Sequence, residues 1–278
     1  MFTLEYEQGP ASEVACIENG TRVQTWHDLA DVVCAYGYAG DGWWAMHWPK
    51  LGTFRVDADA VNIIRVFPAP HASRARLQDL YRRSVVPLFL QALGHETLHA
   101  SAVLGSKGVV ALCGERGSGK STIAYALARR GFPQYADDTL VMIATPRGVR
   151  TQPLPFTPRL RPASAKYFGV DGGHMHAHER VAAPLSALFV LRPTTQSETL
   201  NIELLPSTPA FQALLAHAHC FEPDSERSRR RLLKNYLEIS ASVPVFAVDY
   251  TPGFDRIDAL LEAILSAARE TSAAPMTI

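Results

Sequence analysis

One segment constrains this chain more than any other. Val109-Val-Ala-Leu-Cys113 is an unbroken apolar run. Gly114-Glu115-Arg116-Gly117-Ser118-Gly119-Lys120-Ser121 follows, and Ser121-Thr122-Ile-Ala-Tyr-Ala-Leu-Ala-Arg-Arg then reads as a helix stopped by Gly131. A buried strand must therefore turn through a glycine-rich loop straight into a helix, which has to pack back onto the sheet it left. The loop fits G-x-x-x-x-G-K-S/T at every required position and sits where that motif belongs. Glycines let backbone N–H groups close around phosphate oxygens, and the helix start adds unpaired donors and partial positive charge. The expected contacts are Gly114 to Thr122 around the phosphates, with Lys120 on the β- and γ-phosphates and the Ser121 hydroxyl on Mg²⁺.

The rest of the chain allows such a core. Its 278 residues are 47% hydrophobic and 19% charged, which excludes wholesale disorder. Lys plus Arg equals Asp plus Glu at 27 each, so the formal net charge is +0. Neutrality argues against a coat for nucleic acid or membrane. No apolar run approaches the roughly 18 residues that span a bilayer, and the first residues lack a signal-peptide pattern. Cys16, Cys34, Cys113 and Cys220 form no CxxC pair, as expected of a reducing, cytoplasmic setting.

Two regions are expected. Residues 1–90 read as a small N-terminal domain of short strands, ended by an amphipathic helix from Ser73 to about Leu93 that Pro87 kinks or splits. Residues 91–278 read as the nucleotide-binding domain. There, His99-Ala-Ser-Ala-Val-Leu and Val109–Cys113 make a hairpin around Gly105-Ser-Lys-Gly108. Tyr135-Ala-Asp-Asp-Thr-Leu-Val-Met-Ile reads as one strand opened by two acids. Leu185–Leu191 and Val243–Val248 read as strands. Pro209 to about Cys220, Arg227–Ser240 and Arg256–Arg269 read as helices. The alternation gives an α/β core. Asp137 and Asp138, one helix and a short loop beyond Lys120, could hold the metal or take the proton of an attacking hydroxyl.

The run His99-Ala-Ser-Ala-Val, the hairpin, Gly-x-x-Gly-Ser-Gly-Lys-Ser-Thr, Ala-Arg-Arg-Gly and Ala-Asp-Asp together resemble the catalytic domain of HPr kinase/phosphorylase. They look closest to the HPr-kinase-like serine kinases of lasso-peptide gene clusters. The resemblance spans about 88–270, and its specific part is 99–138. It implies an α/β P-loop core of the HPr-kinase and phosphoenolpyruvate-carboxykinase type, with a small N-terminal α/β domain. It also implies Asp138 as general base, Asp137 as its metal- or phosphate-ordering neighbour, and His99 and Arg161 as polar residues of the active site. The chain departs from the family in two places. Pro158-Arg159 stands where an acidic metal ligand precedes the arginine, and the C-terminal Pro-Gly-Arg-Asn segment of the reverse reaction is missing. Reverse phosphorolysis and HPr as substrate are therefore not expected.

The expected function is transfer of the γ-phosphoryl group of ATP, with Mg²⁺, to a serine hydroxyl of a peptide or small protein, a ribosomal peptide precursor among them. The N-terminal domain would select the acceptor, and a homo-oligomer is compatible with the resemblance. A nucleotide-dependent switch or ATPase and a kinase of a small-molecule hydroxyl stand as alternatives. The loop reads phosphates, so the sequence leaves ATP against GTP open.

Other signals read more plainly. His95-Glu-Thr-Leu-His99 matches H-E-x-x-H, but that zinc motif works on a helix, and His99 begins a strand. His174, His176 and His178 alternate in a glycine-rich stretch that reads as a polar loop near the acceptor. Arg227, Arg229, Arg230 and Arg231 read as a solvated helix face. Trp43, Trp44 and Trp48 read as core of the N-terminal domain.

Overall fold

The computed structural model describes residues 2–7, 17–28, 30–156, 160–170, 181–196, 198–221 and 225–270. The histidine triplet 174–178 and Pro158-Arg159 lie outside them. The chain forms two compact units: Met1–His95 with His219–Leu232, and Glu96–Ala218 with Leu233–Ile278. The sequence reading leaves 219–232 with the following domain; the structure groups it with the first unit.

The first unit is built on a six-stranded sheet in the order β1-β6-β5-β4-β3-β2. Its strands are β1 (Thr3–Tyr6), β2 (Thr21–His27), β3 (Val33–Gly40), β4 (Trp43–Trp48), β5 (Gly52–Asp57) and β6 (Ile63–Pro68). β2 to β6 form an antiparallel meander, and β1 joins β6 in parallel. Trp43 is buried, with the Arg55 guanidinium 4.4 Å above its ring. Trp48 stacks on Trp26 and meets Phe54 edge-on. Phe221, from the returning segment, packs on Trp26 and Phe89, and its N–H donates to Gln91 Oε1 at 2.8 Å. Trp43 and Trp48 are thus part of the packing, and Trp44 is half-buried.

The helical stretch of this unit is α1 (Arg74–Leu80), a π-helical turn (Tyr81–Val85) and α2 (Val86–Ala92). Ser73 caps α1 by accepting from the Arg76 N–H. The Val86 N–H reaches back to the Tyr81 carbonyl, one residue further than in an α-helix. Pro87 sits at the start of α2. The stretch is thus divided into two α-helical segments at the proline, and the widened turn between them lies just before the residue that lacks an N–H.

The second unit holds a nine-stranded system. It comprises β7 (Glu96–Leu98), β8 (Ala100–Gly105), β9 (Gly108–Gly114), β10 (Gln134–Ala136), β11 (Leu140–Thr145), β12 (Gly148–Gln152), β13 (Ala183–Pro193), β14 (Leu200–Leu204) and β15 (Val245–Tyr250). β9, β13 and β15 run parallel at its centre. β8 and β10 add antiparallel on one side, and β14 adds antiparallel to β15. The first residues of β13 pair with β12, which leads through β11 to β7. Its helices are α3 (Lys120–Arg129), α4 (Pro162–Phe168), α5 (Ser207–Leu215), α6 (Glu226–Ser242) and α7 (Ile257–Glu270). The boundary between the units falls within α6.

α3 and α7 supply the core of this unit. Ile257, Leu260, Leu261, Ile264 and Leu265 recur at helical spacing on α7 and are all buried. They pack with Ile123, Ala124 and Leu127 of α3 and with Val110, Leu112, Phe189 and Phe246 of the sheet. Phe189 and Phe246 stack at 4.9 Å between parallel neighbours. Gly131, at φ 92, closes α3 while the Phe132 N–H bonds to the Leu127 carbonyl. On α6, Arg227, Arg229 and Arg230 are exposed, and Arg230 pairs with Glu226. Those three form a solvated helix face, whereas Arg231 is half-buried and donates to the Gln91 carbonyl at 2.7 Å.

Candidate active site

The three parallel strands end together, and an open sheet offers its crevice beyond the carboxyl ends of such strands. Gly114 ends β9 opposite Leu191 of β13. Tyr250 ends β15, and its hydroxyl donates to the Ser118 carbonyl at 2.6 Å. The glycine-rich loop 114–119 is therefore clamped from the neighbouring strand ends. Burial pushes the Tyr250 phenol up to about 12, so it stays a donor. Beneath the loop, Cys113 is fully buried and its thiol is likewise pushed up to about 12 by burial. That makes it inert rather than nucleophilic.

The loop's glycines are required. Gly114, Gly117 and Gly119 have φ of 144°, 96° and 82°, which side chains rarely adopt. A Cβ at Gly114 would stand 2.6 Å from the Leu191 carbonyl, and one at Gly119 would stand 2.9 Å from the Tyr250 hydroxyl. Gly119 opens directly into α3, whose first-turn N–H groups have no partner within the helix. The Lys120 ammonium is buried and folds back onto the carbonyls of Gly114 at 2.8 Å and Glu115 at 3.2 Å. Burial lowers its pKa. Glu115 and Arg116 are exposed, and Thr122 Oγ1 lies 2.9 Å from Ser164 Oγ on α4.

Strand register brings the acids to the loop. β8 runs antiparallel to β9, with Ala100 opposite Cys113, so β8 begins where β9 ends. β10 lies on the far side of β8, with Ala136 opposite Ala102. The residue after β10 therefore arrives beside Ser101. Asp137 Oδ1 accepts from Ser101 Oγ at 2.7 Å and from Ser121 Oγ at 2.8 Å. Ser101 is completely buried and Asp137 nearly so. Tyr135–Ile143 is not one strand, contrary to its sequence pattern. β10 stops at Ala136, Asp138 turns with φ 67°, and β11 starts at Leu140 on a different partner. Aspartate tolerates that left-handed turn better than most residues. His99 supports it: Nδ1 donates to the Asp138 carbonyl at 2.9 Å. Burial and the Lys120 charge lower the His99 pKa, so the ring is neutral near pH 7.

Arg161 caps α4 and places its guanidinium 3.4 Å from where a Gly117 Cβ would stand. Lys120 thus lies in the loop, Asp137 and Arg161 reach it, and His99 is bonded to the Asp138 backbone. Ser101 and His217 were not singled out by sequence. α5 stops at Leu215 rather than near Cys220, and the His217 carbonyl accepts from the His99 N–H at 2.8 Å. Burial chiefly lowers the His217 pKa, opposed by Glu115. A lone serine in a strand carries no signal; only the register across β8 and β10 exposes its partner.

The residues present fit a nucleotide triphosphate with Mg²⁺. The loop is a backbone cradle that side chains would fill, and a hydroxyl and a carboxylate meet at Ser121 and Asp137. The Ser118 and Thr139 hydroxyls are buried without a hydrogen-bond partner among the described residues, and such groups want a ligand or water. Magnesium is usually held by one or two carboxylates plus phosphates and water. Among the described residues no group of three or more His, Cys, Asp or Glu is placed to bind a metal alone. Nor is any described helix long and apolar enough to cross a membrane.

No family model matches the chain, and no curated protein is similar to it at a significant level. Among solved structures it is similar to the HPr(Ser) kinase/phosphatase from Coxiella burnetii, at 14% identity and a TM-score of 0.36, over 64% of this chain and 99% of that one.

Proposed function

We propose that the chain is a phosphotransferase that moves the γ-phosphoryl group of ATP to a hydroxyl, a serine of a peptide or small protein being the acceptor. One observation carries the reading. A glycine cradle, a buried lysine, and a hydroxyl–carboxylate pair stand together with a second carboxylate next in sequence. Phosphoryl transfer needs positioning and charge neutralisation more than covalent chemistry, and this set supplies both. The sequence resemblance over 99–138 points the same way.

When bound, Mg²⁺ would neutralise charge on the β- and γ-phosphate oxygens. Ser121 and Asp137 would hold it, with Ser101 orienting the Asp137 carboxylate. Lys120 would exchange its carbonyl partners for phosphate oxygens, and the loop N–H groups would fix the β-phosphate. Asp138 would accept the acceptor's hydroxyl proton as that oxygen bonds to phosphorus and the bond to ADP breaks. His99 would keep the Asp138 turn in place, and Arg161 would lend positive charge beside the loop. The N-terminal unit would select the acceptor.

The test is incubation with γ-labelled ATP, Mg²⁺ and serine-containing peptides encoded beside the gene, with Lys120→Ala as control. The expected result is an acid-stable phosphoserine product from the wild type alone. ATP hydrolysis with no labelled acceptor would instead favour a nucleotide-driven switch or a small-molecule kinase.

A further inference from the structure

An aromatic cluster stands along the helix that leaves the loop. Tyr125 of α3 lies 4.9 Å from Phe168 of α4, and Phe168 meets Tyr167 at 5.0 Å. Tyr167 stacks on Phe254 with ring centroids 4.2 Å apart and planes 11° from parallel. The Tyr167 hydroxyl reaches the Phe254 carbonyl at 3.4 Å. Phe254 follows β15 by a few residues, in the segment that leaves the carboxyl end of the strand clamping the loop. One face of Tyr167 is covered by Phe254, yet the residue remains 49% exposed. A large ring held rigid and left half-open is unusual where core packing is the only demand.

The cluster is continuous with the loop. α4 begins at Arg161 against Gly117, bonds to α3 through Ser164 and Thr122 at 2.9 Å, and is tied further along by Arg129 donating to the Phe168 carbonyl at 2.9 Å. At about 1.5 Å of rise per residue, Tyr125 stands about 6 Å along the axis from Ser121. The rings packed against Tyr125 are therefore the aromatic surface that these contacts tie to the loop.

We propose that the open face of the Tyr167–Phe254 stack is the base-binding subsite, on which the purine of the bound nucleotide lies. The inference rests on the nucleotide-binding reading of the loop. Stacking is tolerant of base identity because every base has a π-face. A stacking platform does not by itself distinguish one purine from another, so it accepts ATP and GTP alike.

Calorimetric titration with Mg²⁺ and either ATP or inorganic tripolyphosphate tests it. Tyr167→Ala and Phe254→Ala are expected to weaken ATP about five- to one-hundred-fold, the range of one aromatic–base contact, and to leave tripolyphosphate within about twofold. Tyr167→Leu, which keeps the apolar bulk but not the π-face, should behave like Tyr167→Ala and serves if the smaller residue does not fold. Tyr167→Trp should keep ATP affinity. Unchanged ATP affinity in Tyr167→Leu, or equal weakening of both ligands, overturns the subsite. Wild type that binds tripolyphosphate as tightly as ATP overturns it while leaving the loop reading intact. Wild type that binds neither overturns the loop reading, and the subsite with it.

Discussion

Two glycine-rich regions of this molecule do opposite things. In the first unit, Gly37 and Gly40 make room for rings. A Cβ at Gly40 would stand 2.1 Å from Trp43, and one at Gly37 would stand 3.0 Å from both Phe221 and Trp26. Neither has a positive φ, so the missing side chain, not the backbone, is what matters there. In the loop 114–119 the conformation is the point. All three glycines have positive φ, and a Cβ at Gly117 would meet, among the described residues and apart from its chain neighbours, the Arg161 guanidinium first, at 3.4 Å. The first pattern is filled by the protein's own aromatics. The second leads into a helix whose first-turn N–H groups have no partner within the helix, which is what an anion requires. Glycine content alone marks neither.

That contrast can be broken by substitution. The largest effect is expected for Lys120→Ala, which removes a buried cation from the loop. Turnover should fall by about 10²–10³, the cost of losing one preorganised donor, while the melting temperature stays near wild type. Gly40→Ala should do the reverse: overpacking against Trp43 costs about 1–3 kcal/mol of stability in urea unfolding, with ATP affinity unchanged. If Gly40→Ala weakened ATP binding as much as it weakened the fold, the division between the two glycine uses would be wrong.

Smaller effects sharpen the picture. Ser101→Ala removes one of two hydroxyls from Asp137, and a hydrogen bond to a charged group contributes about 1.5–3 kcal/mol. It should raise the Mg²⁺ concentration needed for half-maximal turnover more than it changes the ATP KM. Equal shifts in both would leave Ser101 a packing residue only.

The least effect concerns pH. Burial lowers the pKa values of His95, His99 and His217 in the folded chain. The unfolded chain therefore binds more protons as pH falls below the ordinary histidine value of about 6.5. Stability should be fullest above that value and decline below it, towards the folded pKa values. His99→Asn should make the decline shallower; an unchanged slope in unfolding midpoint against pH would show that His99 contributes nothing to it.

The strand, loop and α3 were legible because a buried strand, a glycine turn and a helix stop follow each other in sequence. α7 was legible from its apolar spacing. Asp137 and Asp138 were visible as acids, but their settings were not. The strand pattern of Tyr135–Ile143 hides the left-handed residue that splits it, because Asp138 looks the same on either side of that choice. Ser101 and His217 reach the site through strand register and a helix ending, both long-range facts. Phe221 returns to the first unit because its ring fits between Trp26 and Phe89, a match that no local pattern announces.

The most direct test pairs two readings on one variant. Asp138→Asn, measured for Mg·ATP binding and for phosphate transfer to the acceptor, is expected to bind within about threefold of wild type and to lose about 10²–10⁴ in transfer, the usual contribution of a positioned base. Transfer at the wild-type rate with binding intact would remove Asp138 from the chemistry and contradict the account.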